Sequence, residues 1–272
     1  MSFEADYIAP GFDAQFPWLY RLAGTVSHRG FAYALTGRTG EASVVKHVAG
    51  DGPPDSPDVL AAAARHDELL KNPWEPVEVV VQDPRWLIVP GEFVPAGTEE
   101  KYLAALFDSA PRHVYRDFVR PLKLCVIYAV EEALLQKCTY FFRQPKFKHI
   151  VTAFLLFHKH IHKNAKTPFT ATVAVLNQRF LYVVFKDQEP VFANFFPMAG
   201  PEDVIYYVKS VNQAVGVEGW SYYLHDPEPT VARLLESFFP GQATNGSDYF
   251  SSFNDSRVRT FAHKFGYLFA AP

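Results

Sequence analysis

The order of predicted elements repeats within the chain, and this repeat limits the folds that the sequence can adopt. Apolar periodicity predicts three consecutive strands, a helix, a strand and a further helix, beginning near Phe16. The same order begins again near Thr170. A repeated plan is typical of two related structural units in one chain.

The predicted segments cover most of both repeats. In the first, we predict strands at residues 16–23, 30–35, 43–48, 77–81, 86–89 and 122–128, with helices at 56–71, 98–106, 131–141 and 147–163. In the second, we predict strands at 170–176, 180–185, 191–196 and 220–224, with helices at 200–215, 229–239 and 257–265.

This order predicts an α/β fold. Three meandering strands followed by helix-linked parallel strands describe a ribonuclease-H-like lobe, and two such lobes in tandem describe the actin-like ATPase architecture. We therefore expect a first lobe at residues 1–165, a second at 166–272, and a cleft between them. Polar, Pro-containing sequence at 163–170 marks the predicted boundary.

Composition points to a folded cytoplasmic protein. Of the 272 residues, 49% are hydrophobic and 20% are charged, as in globular domains. The N-terminus has neither a basic region nor an apolar run, which excludes a secretory signal, and no stretch is long and apolar enough to span a bilayer. Cys125 and Cys138, which form no Cys-x-x-Cys motif, are typical of buried thiols in a reducing compartment.

Several stretches of the chain have a distinctive sequence. They are Leu-Ile-Val-Pro-Gly-Glu-Phe at 87–93, the segment 141–149, and Asn-Phe-Phe at 194–196 followed by Glu-Asp-Val-Ile-Tyr-Tyr at 202–207 and Asn-Gln at 212–213. They resemble an uncharacterised bacterial family, domain of unknown function 3822. The resemblance covers roughly residues 19–238 and implies an actin-like ATPase fold, in agreement with the repeat. It implies no activity, substrate or catalytic residue.

Three nucleotide-binding positions of actin-like ATPases look altered. In that fold the first hairpin of each lobe carries an Asp for the metal shell and a Gly turn for phosphate. Here Gly24-Thr25 resembles the turn, but Leu22 stands where the Asp is expected, and residues 176–179 contain neither Asp nor Gly. Residues 225–227, His-Asp-Pro, replace the Gly pair that lets the backbone approach adenine. We expect no bound nucleotide and no other cofactor.

His158 and His162 have the helical spacing that zinc-binding helices use. However, Lys159 occupies the place where a metallohydrolase has Glu, and Lys163 adds positive charge. The favoured interpretation is a solvated helix end whose cations complement the helix dipole. No Gly-x-Ser-x-Gly elbow is present, so the sequence predicts neither a metal site nor catalytic residues.

Charge is distributed unevenly although the net charge is only −3. No Asp or Glu occurs from Ala133 to Lys186, while nine Lys and Arg do. Either these cations pair with distant acids, or they form a positive face for an acidic protein or a nucleic acid. The predicted basic region consists of Arg143, Lys146, Lys148, His149, Lys159, His160 and Lys163.

Two functions remain open at this point. The favoured one is a non-catalytic binding or assembly scaffold of actin-like fold that holds a macromolecular partner. The alternative is a nucleotide-binding switch or phosphotransfer-type enzyme that uses the cleft with nonstandard residues.

Overall fold

The computed structural model describes residues 3–27, 30–49, 58–107, 113–176, 178–225, 229–244, 249–250 and 253–269. The chain divides into two compact units, one of residues 1–153 and 255–272 and one of residues 154–254. The lobe limits at 165 and 166 stay a prediction. The predicted loop at 50–54 and the predicted helix start at 56–57 lie outside the described residues.

The main sheet of the first unit has six strands. In spatial order they are β1 (Phe3–Ile8), β4 (Ala42–Ala49), β3 (Gly30–Thr36), β2 (Arg21–Ser27), β5 (Val77–Val81) and β9 (Lys146–His149). The strands β2, β3 and β4 form an antiparallel meander, whereas β5 runs parallel to β2 and β9 runs parallel to β5. Nearly every residue of β2 and β3 is buried, which explains their continuous apolar sequence.

Helices cover this sheet. The helix α1 (Asp58–His66) packs against β3 and against α3 (Glu132–Phe141). The helix α7 (Ser256–Phe265) packs against β1 and β4. The sequence groups α7 with the second repeat, whereas its contacts place it in the first unit. Its buried side chains Val258, Phe261 and Phe265 form the apolar face that makes these contacts.

A separate three-stranded sheet is inserted between β5 and α3. Its antiparallel strands lie in the order β6 (Trp86–Pro90), β8 (Leu124–Ala129) and β7 (Val114–Val119), and α2 (Glu99–Ala104) packs on β7 and β8. A small core that includes Leu103, Cys125 and Ile127 holds α2 to the strands. We call residues 86–129 the inserted sheet.

The second unit repeats the strand order of the first. Its sheet runs β12 (Glu189–Pro197), β11 (Arg179–Lys186), β10 (Phe169–Leu176), β13 (Trp220–His225) and β14 (Ala243–Thr244). Again the first three strands are antiparallel, and the fourth and fifth run parallel to the first and fourth. This third-second-first-fourth-fifth order is the ribonuclease-H-like plan, and the predicted duplication is confirmed. The helices are α4 (Ile150–Ile161), whose first four residues belong to the first unit, α5 (Pro201–Val215) and α6 (Pro229–Phe238).

Some predicted boundaries are wrong. The helix predicted at 147–163 begins only at Ile150, because residues 146–149 form β9 beside β5. The strand predicted at 16–23 is a 3-10 turn at Pro17–Leu19, and the strand itself starts at Arg21. Pro17 lacks an N–H, so it suits the turn better than a sheet. The sequence predicts none of the strands β1, β7 and β14. Among the described residues, no helix meets the length and hydropathy that a membrane span requires.

Asp67 holds three elements of the first unit together. Its carboxylate accepts hydrogen bonds from the Tyr33 hydroxyl at 2.5 Å and from the Leu69 amide at 3.1 Å, and pairs with Lys46 Nζ at 3.1 Å. Asp67 and Lys46 are both buried. The carboxylate therefore compensates a charge inside the protein and begins the 3-10 turn Glu68–Lys71.

Asp117 of β7 connects the inserted sheet to the main sheet. Its Oδ2 accepts the backbone N–H of His149 at 2.7 Å, and its Oδ1 accepts the Tyr128 hydroxyl at 3.0 Å. The His149 ring is fully buried and stacks on Trp86 and Tyr128, with centroids 5.6 and 5.1 Å apart. Its Nε2 lies 2.9 Å from the Asp83 carbonyl and donates to it.

We expect Asp67→Ala to destabilise the protein by about 3–5 kcal/mol, because it removes the carboxylate paired with a buried cation. Urea unfolding measures the loss. Glu68→Ala is the matched control: it removes the exposed Glu68–Lys71 pair and should change stability by less than about 0.5 kcal/mol. Equal losses in both variants would contradict the structural role of Asp67.

Burial raises the pKa of Asp117 to about 6 from 3.8, although the nearby Thr152 hydroxyl, the His149 amide and the Tyr128 hydroxyl lower it. Because the folded-state pKa lies above the unfolded one, the protonated carboxyl favours folding. That stability is lost as pH rises from about 4 through about 6.

The side chain introduced by the variant Asp117→Asn cannot ionise. We therefore expect the free energy of unfolding of this variant, relative to that of the unsubstituted protein, to increase by about 2–3 kcal/mol as pH rises from about 4 to 7. The comparison of the two unfolding curves at each pH isolates this group from others that titrate in the same range. A difference between the proteins that stays constant with pH would contradict the raised pKa.

Candidate functional site

The first-repeat hairpin does not have the turn that the sequence suggests. Gly24 pairs with Tyr33 in the middle of β2, so the interpretation of Gly24-Thr25 as a phosphate-binding turn is wrong. A Cβ at Gly24 would lie 2.9 Å from Phe31 Cζ, which explains the glycine by packing. The Thr25 hydroxyl donates to the Val80 carbonyl at 3.1 Å. The connection between Ser27 and Gly30, residues 28–29, lies outside the described residues.

The second-repeat hairpin is equally short. Leu176 pairs with Arg179, and residue 177 lies outside the described residues. Neither Leu176, Gln178 nor Arg179 supplies a carboxylate for a metal shell. The Gln178 carbonyl accepts the Met198 amide at 2.7 Å, so it is used within the fold.

The strand end at which the sequence replaces the Gly pair of the adenine site is buried in the second unit. His225 is buried, with its ring centroid 5.0 Å from that of Phe154 and 5.6 Å from that of Phe157. Residues 226–228 lie outside the described residues. His225 is therefore explained by packing.

His158 and His162 are core residues, and the solvated-helix-end interpretation is wrong. The His158 ring stacks on Phe185 at 4.0 Å, and its two nitrogens each lie 2.9 Å from a hydroxyl, those of Thr170 and Thr172. His162 Nε2 donates to the Ala171 carbonyl at 3.0 Å. Burial lowers the pKa of His158 well below its ordinary value and that of His162 to about 4. Both rings are therefore neutral at physiological pH.

Metal ligands do not cluster in the part of the chain that the structure describes. No group of three or more His, Cys, Asp or Glu side chains there is arranged to hold an ion. The helical spacing of His158 and His162 thus places both rings where they contact the hydroxyls of Thr170 and Thr172 and the Ala171 carbonyl.

The predicted basic region is divided between the two units. Lys148 and His149 are buried, and Lys148 Nζ lies 2.8 Å from Glu78 Oε1 on the neighbouring strand. Arg143 is exposed and pairs with Glu75 at 3.4 Å. Lys148 and His149 therefore do not belong to an exposed basic surface. Distant acids supply these pairs, as one of the two sequence interpretations anticipated.

The remaining members of the basic region lie at the surface. Lys146 is exposed on β9 in the first unit, while Lys159 is half-buried and His160 and Lys163 are exposed near the end of α4 in the second unit. The binding role of these side chains stays a prediction.

A surface groove of about 500 Å³ lies on the inserted sheet. One wall is the segment that carries Phe93 and Pro95. The other wall is one face of α2 and its two caps, formed by Thr98, Lys101, Tyr102 and Ala105. These six residues define what we call the apolar groove.

Hydrogen bonds fix the two walls of the groove. The Tyr102 hydroxyl donates to the Phe93 carbonyl and so joins the two walls. The Thr98 hydroxyl at the start of α2 donates to the Pro95 carbonyl at 2.7 Å and so also joins the two walls. Such contacts position the walls before any ligand binds.

The apolar groove and residues close to it in the inserted sheet expose large apolar side chains. Phe93 is 59% exposed and Leu106, next to Ala105, is 63% exposed. Phe118 is 55% exposed and lies over Gly91, where a Cβ would come within 2.4 Å of its ring. Clustered exposed apolar residues mark interaction sites more often than scattered ones do.

The apolar pattern of the sequence does not predict this surface. Phe93 and Leu106 occur among strands and helices of ordinary apolar pattern, which predicts burial for them. The available signal was the shortness of α2, which has six residues (Glu99–Ala104). Such a helix buries only Leu103 and leaves its neighbours exposed.

Comparisons with solved structures give the fold. A crystal structure from Bacteroides thetaiotaomicron VPI-5482, described as having an actin-like ATPase fold and unknown function, matches with TM-score 0.75 and 14% identity, over 96% of this chain and 99% of that one. The PilM-PilN type IV pilus biogenesis complex matches with TM-score 0.63 and 11% identity, over 92% and 96%. The chain therefore has the predicted actin-like ATPase fold.

Comparisons of sequence give the family. A search of curated protein sequences finds no match. The model of the family "Protein of unknown function (DUF3822)" matches residues 13–218, well over half of the chain, as the resemblance in the sequence indicated. The chain belongs to this DUF3822 family.

Proposed function

We propose that this chain is a non-catalytic binding or assembly protein that holds a protein partner at the apolar groove. The observation that carries the proposal is the groove itself: about 500 Å³ between two hydrogen-bonded walls, with Phe93 and Leu106 more than half exposed beside it. A buried face of this kind contributes about 25 cal/mol for each Å² of apolar surface removed from water.

The chemistry around the hairpins supports a role without nucleotide. No described residue at either hairpin end is a carboxylate, and Gly24 is required by the packing of Phe31. In our proposal, the described part of both hairpins lacks the two features that adapt this fold to phosphate and metal, and Gly24 makes a core contact instead. An actin-like protein without these phosphate and metal features still has the fold, which supports a surface for binding.

The fold comparison supports a protein as the partner. The PilM structure is described as a complex with PilN, so a protein of this fold holds another protein. In our proposal the partner of this chain is likewise a protein, and the inserted sheet carries its docking surface. A nucleic acid fits the groove poorly, because only one of the six lining residues is a cation.

The partner-binding role is tested with the double variant Phe93→Asp/Leu106→Asp. We expect it to lose the dominant protein recovered by proximity labelling in cells that express the chain, because charge on the rim opposes apolar contact. Tyr140→Asp, at an 82% exposed aromatic of α3, is the matched control and should keep the partner. Both proteins should keep their melting temperature, since the substituted side chains are exposed. A partner retained by the double variant, or lost equally by the control, would refute the proposal.

Absence of nucleotide binding is tested by calorimetry with MgATP. We expect no dissociation constant tighter than about 1 mM, which corresponds to about −4 kcal/mol. The reason is the lack of a described carboxylate at the hairpin ends. Low-micromolar binding would favour the alternative function, a nucleotide-dependent switch.

A further inference from the structure

The apolar groove contains one charged side chain, Lys101. It lies on the groove face of α2, three residues after Thr98 and four before Ala105. Lys101 lines the groove and is exposed, so its ammonium group is accessible to a ligand there.

This ammonium has no ion-pair partner among the described residues, although acids are close in sequence. Glu99 lies two residues away and pairs instead with Arg116 of β7 at 2.9 Å. Lys101 is exposed. A single free cation in an apolar surface makes that surface selective for a ligand that brings one negative charge.

We propose that the apolar groove binds a segment of a partner protein that combines apolar side chains with one Asp or Glu placed to meet Lys101; this inference rests on the proposed function. The apolar side chains contact Phe93, Pro95 and Tyr102, and the carboxylate pairs with the Lys101 ammonium. The apolar contacts supply most of the affinity, and the charge pair selects among partners.

A fatty acid also combines an apolar chain with a carboxylate, but the groove suits it less well. Each of the six lining residues is itself exposed or half-exposed, so an acyl chain lying there would remain largely in contact with water. A peptide segment brings its own backbone and further side chains to cover the neighbouring Leu106 and Phe118.

Selection from a phage-displayed library of random twelve-residue peptides tests the proposal. On the unsubstituted protein we expect enrichment of apolar peptides that carry Asp or Glu. On Lys101→Glu the same library should enrich apolar peptides that carry Lys or Arg. Lys209→Glu, a reversal at an exposed lysine of α5, is the control and should keep the acidic preference.

Affinity measurements on one enriched peptide give the size of the effect. Replacing its acid by the corresponding amide should weaken binding to the unsubstituted protein about 2- to 5-fold, as for an exposed ion pair. The same replacement should leave binding to Lys101→Met unchanged. High salt should reduce the difference, because it screens exposed charges.

The outcomes distinguish the role of Lys101 from the proposed function of the apolar groove. Peptides that bind without charge preference, yet are lost on Phe93→Asp, would refute the role of Lys101 and leave the proposed function standing. Peptides insensitive to both Lys101→Glu and Phe93→Asp, or no enriched peptide at all, would refute both. Binding of sodium laurate that displaces the peptides and is lost on Lys101→Met would overturn the assignment to a protein segment.

Discussion

The carboxylate of Asp117 accepts the amide of His149 and thereby joins two sheets that have no strand in common. The position of the inserted sheet in the first unit depends on this contact and on the His149 ring between Trp86 and Tyr128. Because α2 packs on that sheet, the walls of the apolar groove depend on it too. A polar contact inside the unit thus positions an apolar surface on its outside.

Several residue types that suggest chemistry are used here to build cores. His158 stacks on Phe185 between two threonine hydroxyls, Gly24 makes room for Phe31, and Lys148 pairs with Glu78 across neighbouring strands. Each buried polar atom costs free energy unless it has a partner, and here the adjacent strand provides the partner. These residues of α4, β2 and β9 are therefore committed to internal contacts.

The sequence predicts the repeated sheets well because their signal is strong and local. The residues of β10 and β11 are almost all buried, so the apolar runs are continuous and their ends are marked by polar turns. By contrast, β9 alternates lysine with Phe147 and His149 at a sheet edge, and nothing local separates it from the helix that follows at Ile150. The partners of its lysines are also distant in sequence: Glu78 is 70 residues before Lys148. The apolar groove is not predicted for a related reason. The exposure of Phe93 depends on how few residues α2 buries, and the periodicity of apolar residues does not show how many residues a helix buries.

The packing of α7 on β1 and β4 has a consequence for synthesis of the chain. Because residues 255–272 belong to the first unit, the ribosome completes the whole second unit, residues 154–254, before the last helix of the first becomes available. At a translation rate of about 5–20 residues per second, β1 and β4 remain without α7 for several seconds. During that interval the surface that α7 later covers is accessible to chaperones and to other nascent chains. The second unit can already fold in the same interval.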